Sequence, residues 1–186
     1  MYAKFDKKNR KGDYISALDW LVTSRMVIKC NQITKPEYPI KAYNDDDNYK
    51  LFLSDVGILR SKVGVEAIDV LMDGDYSFKG VLNENYVAME LINQFENIYY
   101  WSRKGNENGS NAEVDFVIQL DDKVIPLEVK ANNSKTQSLR IYNDLFHPYL
   151  MVKIGNTNFG KVDNIKTIPL YSVFLLKELL INNKKS

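Results

Sequence analysis

Asp115, Glu128 and Lys130 stand inside short apolar runs, where a charge is costly unless it is paired or holds a metal. The first run is Ala112-Glu113-Val114-Asp115-Phe116-Val117-Ile118-Gln119-Leu120; after a turn at Asp121-Asp122 comes Lys123-Val124-Ile125-Pro126-Leu127-Glu128-Val129-Lys130. Two such runs around an acidic turn predict a β-hairpin. Period-two alternation puts Glu128 and Lys130 on one face of their strand, and Asp115 with Glu113 and Val117 on one face of the other. If Asp115 and Glu128 face the same side, their oxygens converge on one divalent ion. Pro126 has no N–H to donate to a ladder, so it should mark a bulge or an unpaired position.

A preceding helix, predicted over residues 79–95, supplies a third acid. At about 100° per residue, Val81, Ala88, Leu91 and Phe95 form one apolar stripe with Glu84 in its middle, and Glu90 falls on the opposite face. Glu84 therefore points at the sheet. Further strands are predicted at 98–102 and 149–154, with a short one at 168–171. Helices are predicted at 134–146 and 172–181. From residue 79 the order reads αβββαβ, an α/β arrangement.

Upstream, the spacing predicts a helix over 13–29, a strand at 27–33, a loop through the Asn44-Asp45-Asp46-Asp47-Asn48 run, and a returning strand at 49–53. Helix, strand, long loop and strand resemble the last helix and wing of a winged-helix unit whose first helices are missing. Residues 1–60 are therefore expected to form part of a larger module or a small subdomain leaning on the rest, and 61–186 the main domain. A second helical stretch begins at Asp55 and is weakened by Gly64.

The acid in a first helix, then Asp115, about a dozen residues, and Glu128-Val129-Lys130 on a hairpin resembles the PD-(D/E)XK nuclease core. More closely, Phe78-Lys79-Gly80-Val81-Leu82-Asn83-Glu84-Asn85-Tyr86-Val87-Ala88, with Tyr99-Tyr100-Trp101, Glu113-Val114-Asp115-Phe116 and Pro126-Leu127-Glu128-Val129-Lys130-Ala131, is similar to the C-terminal domain of unknown function in prokaryotic AAA-type ATP-binding proteins. Residues 49–60 also resemble that family's linker, and the similarity runs from about residue 12 to 155. Members of the family usually carry an ATPase domain. This chain has no Gly-X-X-X-X-Gly-Lys-Ser/Thr segment, so ATP binding is not carried over to it. The chain is expected to be a fragment, or the product of a gene without that domain.

In the nuclease reading Asp115 and Glu128 hold Mg²⁺, the Val129 carbonyl adds a ligand, and Glu84 completes the site directly or through water. Lys130 orients or helps deprotonate the attacking water and neutralises a phosphate oxygen. Lys135, Gln137 and Arg140, at or near the start of the next helix, contact the DNA backbone. The alternative is a catalytically inactive nuclease-fold module that binds nucleic acid or protein and partners an ATPase. A plain structural reading also competes, with Lys130 neutralising Glu84 or Glu128. His147 is read as a helix cap or surface residue, Cys30 as a small buried apolar group, and Tyr99, Tyr100 and Trp101 as core rather than base-stacking platforms.

Bulk composition frames these choices. The chain has 186 residues, 45% hydrophobic and 26% charged, with a formal net charge of +1. That is globular, and too near neutral to announce nucleic acid by charge alone. The basic groups Lys4, Lys7, Lys8, Arg10 and Lys11, and Lys184 with Lys185, read as solvated termini. One cysteine and one histidine exclude a disulfide framework and a Cys/His zinc site. With no secretory signal and no spanning apolar run, a cytoplasmic location without membrane contact is expected.

Overall fold

The computed structural model describes residues 11–64, 78–105, 111–130 and 136–182. The elements are α1 (Lys11–Thr23), β1 (Val27–Ile33), β2 (Asn44–Leu53), α2 (Val56–Val63), α3 (Lys79–Ile92), β3 (Tyr99–Arg103), β4 (Ala112–Leu120), β5 (Lys123–Lys130), α4 (Gln137–Phe146), β6 (Met151–Gly155), β7 (Gly160–Val162), β8 (Ile165–Pro169) and α5 (Leu176–Asn182). Short 3₁₀ turns cover Ile40–Tyr43 and Leu170–Leu175. The chain is a mixed α/β protein, and α3-β3-β4-β5-α4-β6 follows the expected αβββαβ order.

All the described strands lie in one sheet of order β2-β1-β3-β4-β5-β6-β8-β7. Residues 27–53 therefore do not stand apart: β1 pairs parallel with β3, and the β1–β2 hairpin extends the main sheet. The winged-helix-like resemblance captures helix, strand and returning strand, but packing makes them part of the larger module. β2 also begins earlier than predicted. Its register against β1 slips between Asn31 and Gln32, so that Asp46, Asp47 and Asn48 have no counterpart on β1. Asp46 accepts from Asn44 at 2.7 Å, and Asp45 accepts from Asn48 at 2.9 Å and from the Asp47 N–H at 3.0 Å, so the acidic run supplies partners for several of its own donors.

Each face of the sheet carries its own core. On one, Val87, Ala88 and Leu91 of α3 pack on Ile28, Cys30, Phe52, Tyr100, Phe116, Ile118, Ile125, Leu127 and Val129, with Val173 and Leu176 completing the layer. On the other, Leu139 and Tyr142 of α4 cover Tyr99, Trp101, Val114, Val117 and Met151. Trp101 meets Tyr142 and Phe146 edge-on at 5.3 and 5.4 Å between ring centroids, a favoured aromatic geometry. The three consecutive aromatics are thus core, alternating between the two faces.

Local sequence explains the helix limits nearest the site. Asp55 caps α2 by accepting from the Ile58 N–H at 2.8 Å, and Gly64 ends it in the left-handed region at φ 73°. Gly64 is therefore the terminator of that helix rather than a weak point inside it. α3 is anchored by Asn85, whose amide exchanges two 2.8 Å hydrogen bonds with the backbone N–H and carbonyl of Leu53. His147 closes α4 in the left-handed region ahead of Pro148.

Candidate functional site

The β4–β5 ladder runs in register from Leu120↔Lys123 to Phe116↔Leu127 and stops there. Pro126 pairs with Val117 on the β4 side, and β5 engages β6 only from Leu127 onward, so no ladder donor is missing on the β6 edge. Beyond Phe116 a side chain takes over from the ladder: Asp115 Oδ2 accepts a 2.7 Å hydrogen bond from the Val129 N–H. A strand residue projects its N–H and C=O from the same edge. The Val129 carbonyl therefore opens toward the same slot between β4 and β5.

On its other edge β4 slips by one residue. Tyr99 pairs with Val117 and Trp101 with Val114, leaving both Asp115 and Phe116 opposite Tyr100. This β-bulge re-aims the strand. Val114 and Val117 both enter the core under α4, while Phe116 and Ile118 enter the one under α3. Asp115 accordingly keeps Glu113's side of the sheet but not that of Val117, against the simple alternation. The extra residue breaks period two at the acid itself.

Glu128 is 1% exposed. Its Oε1 lies 2.7 Å from Lys130 Nζ, and its Oε2 is buried with no hydrogen-bond partner among the described residues. Leu127 and Val129 belong to the core under α3, so alternation turns Glu128 and Lys130 toward the α4 side. Asp115 and Glu128 therefore do not leave the sheet from one face as the single-face condition required. They border the slot where the ladder has opened, near enough for the charge of Glu128 to act on Asp115.

Glu84 approaches from α3. The buried face of that helix is Leu82, Asn85, Val87, Ala88 and Leu91, and Val81 is exposed, so the stripe is rotated from the one predicted. Glu84 is half-buried, and burial raises its pKa, opposed by Lys50 and Lys130 and reinforced by Glu113. Asp115 is pushed up to about 7, first by burial and then by the charge of Glu84, while the Val129 N–H and Lys50 act in the opposite direction.

Sequence reasoning missed Lys50. This β2 residue reaches Glu113 Oε1 at 2.5 Å and lies 5.1 Å from the centre of the Tyr100 ring. Burial works against its charge, but the carboxylates of Glu113, Asp115 and Glu84 outweigh that and hold its pKa above the usual lysine range. Nothing in the local pattern of β2 announces it, because its partners lie more than 30 residues away.

The remaining candidates divide by position. Gln137 and Arg140 are exposed on the first turn of α4, which packs on β4 and β5. Lys135 lies outside the described residues, as do Lys4, Lys7, Lys8, Arg10, Lys184, Lys185 and the side chain of Lys11. Cys30 is fully buried, and burial drives its thiol pKa upward. Among the described residues no helix is long and apolar enough to cross a membrane.

The donor set can be tested against Mg²⁺. Among the described residues no three acids, histidines or cysteines group closely enough to enclose a metal. Mg²⁺ needs no such cage, since it keeps several waters and binds through one or two carboxylates. An unpartnered Glu128 oxygen, a strained Asp115 carboxylate and the Val129 carbonyl are hard oxygen donors around one slot. The residues fit that ion on donor chemistry.

Residues 79–173, which hold this whole slot apart from Lys50, match the model of a domain of unknown function, DUF4143. The chain belongs to the DUF4143 family. The DUF4143 match spans α3 through the 3₁₀ turn after β8 and leaves β1 and β2 outside it. No curated protein matches the chain.

Proposed function

We propose that this DUF4143 protein is a nuclease-like module that hydrolyses phosphodiester bonds of DNA with Mg²⁺. The observation that carries the reading is the opened β4–β5 ladder, where Asp115 replaces the strand pairing and Glu128 buries an unpartnered oxygen. A buried, unpaired carboxylate oxygen is costly, and a cation ligand explains why one is retained. Bound Mg²⁺ would activate a water and offset charge on the phosphate. Asp115, Glu128 and the Val129 carbonyl would hold it. Lys130 would keep Glu128 oriented and present a cation to the phosphate, and Glu84 would fix outer waters. Gln137 and Arg140, with Lys135, would contact the DNA backbone.

The ATPase association implied by the family resemblance belongs to the same proposal: an AAA-type ATPase domain or chain would deliver or gate the substrate. A second reading has its own support. The 2.7 Å Lys130–Glu128 pair already neutralises one acid, and the two acids leave the sheet on different faces. An inactive nuclease-fold module for binding nucleic acid or protein would need no more.

Incubation of the purified chain with Mg²⁺ or Mn²⁺ and single-stranded, duplex or branched DNA separates the two. Cleavage that disappears in Asp115→Ala and Lys130→Ala supports hydrolysis. Cleavage that survives both substitutions removes these residues from the catalytic assignment, and absence of both cleavage and millimolar metal binding favours the inactive module.

A further inference from the structure

We propose that Lys50 is a positioning residue of this site, the built-in cation that holds the carboxylates on the α3 side of the sheet in place; the link to metal rests on the nuclease reading, the positioning role does not. Lys50 comes from β2, three strands away from β4 in the sheet and outside the matched family region. It is brought in by the parallel β1–β3 pairing, which joins the β1–β2 hairpin to the central strands. Its backbone pairs with Cys30, and its ammonium crosses the Tyr100 ring at 5.1 Å to meet Glu113 at 2.5 Å.

Tyr100 is the residue that faces the bulge containing Asp115. It is itself held by Gln32, which accepts from the Tyr100 hydroxyl at 3.3 Å and donates to Ser102 Oγ at 3.0 Å. The ring is thus tied at its hydroxyl and lies 5.1 Å from the ammonium. Glu113 and Asp115 are two positions apart on the same side of β4, and Glu84 closes over them from α3. The Lys50 charge acts on all three acids. Glu128, on the other side, has Lys130 instead. Two lysines thus serve the site: Lys50 pairs with Glu113, and Lys130 pairs with Glu128 while its charge also reaches Glu84. Without Lys50, Glu113 would lose its ion pair, Glu84 would keep only the more distant charge of Lys130 among the described cations that act on it, and the three acids would repel one another in a half-buried setting.

Two consequences distinguish positioning from an ordinary ion pair with Glu113. Lys50 must be energetically coupled to Asp115, which it does not touch, and its removal must make the pocket more attractive to a divalent cation. The experiment is a stability cycle at pH 8.5 on the full chain with Lys50→Met, Asp115→Asn and the double variant, with calorimetric titration of Mn²⁺ into wild type and Lys50→Met. We expect Lys50→Met to raise the unfolding equilibrium constant at least fivefold and Asp115→Asn to reverse at least threefold of that rise. Lys50→Arg should retain wild-type stability, and Mn²⁺ should bind Lys50→Met at least threefold more tightly than wild type. Losses that simply add, or Mn²⁺ binding to both proteins with unchanged affinity, would overturn the proposal. If wild type takes up no Mn²⁺, the metal reading fails while the stability cycle still decides the role of Lys50.

Discussion

Asp115 Oδ2 and the Val129 N–H are joined at 2.7 Å across the point where β4 and β5 stop pairing. A side chain thereby does the work of a backbone acceptor, and the neighbouring Val129 carbonyl is left facing the slot. Removing the acceptor should leave a buried donor unsatisfied, at a cost of roughly 1–3 kcal/mol. Asp115→Ala should accordingly lower stability below pH 4, where the electrostatic penalty of the ionised acid is absent. It should also abolish divalent-metal binding at pH 8. Denaturant titration and calorimetry check the two halves separately.

The pH dependence of Asp115 has a definite sign. Its carboxyl is raised to about 7 in the folded protein from an ordinary value of 3.8. Between those values the folded state binds more protons than the unfolded one, so stability falls as pH rises from about 4 to about 7 and levels off above that. The loss attributable to this group is on the order of a few kcal/mol. Asp115→Asn should flatten this part of the profile in urea denaturation from pH 4 to 8. If Mg²⁺ binds here, millimolar Mg²⁺ should flatten it in wild type as well; an unchanged slope in both would show that the acid is not under this strain.

Lys130 and Glu128 should behave asymmetrically. Lys130→Met leaves a carboxylate that is 1% exposed without its cation, and breaking such a pair costs about 3–5 kcal/mol. Removing both charges together, as Glu128→Gln with Lys130→Met, should recover most of that stability while leaving any hydrolysis absent. Thermal unfolding of the single and double variants reads the difference.

Gly155 lies opposite Lys130 in the β5–β6 ladder, and a Cβ added there would meet the Lys130 carbonyl at 2.8 Å. Backbone cannot yield as a flexible side chain would. Gly155→Ala should destabilise the protein by about 1–3 kcal/mol and shift the amide resonances of Val129 and Lys130. Gly160→Ala, where the nearest atom lies at 3.9 Å, serves as the permissive control.

Asn85 ties α3, the helix that carries Glu84, to β2, the strand that carries Lys50. Asn85→Ala should cost roughly 1–3 kcal/mol, because two part-buried backbone groups of Leu53 lose their partner. Amide exchange at Leu53 should accelerate by more than the global loss of stability explains.

Local pattern was enough to recover the αβββαβ order, the hairpin and the isolation of Asp115, Glu128 and Lys130 in apolar runs. Period-two and 3.6-residue repeats are written in neighbouring residues, and a charge inside an apolar strand is visible without coordinates. The three-residue bulge of β2, the rotated face of α3 and the short strand β7 escaped it. Each depends on pairing partners or on which neighbour covers a surface, and β7 is only three residues long. At the site, the bulge between Tyr99 and Trp101 decided on which side Asp115 lies, and alternation alone predicted the wrong companion in Val117. Lys50 shows the limit most plainly. Its type and neighbours mark an ordinary strand lysine. Only the β1–β3 pairing sets its ammonium among Glu113, Asp115 and Glu84, because charge interacts through space and not along the chain.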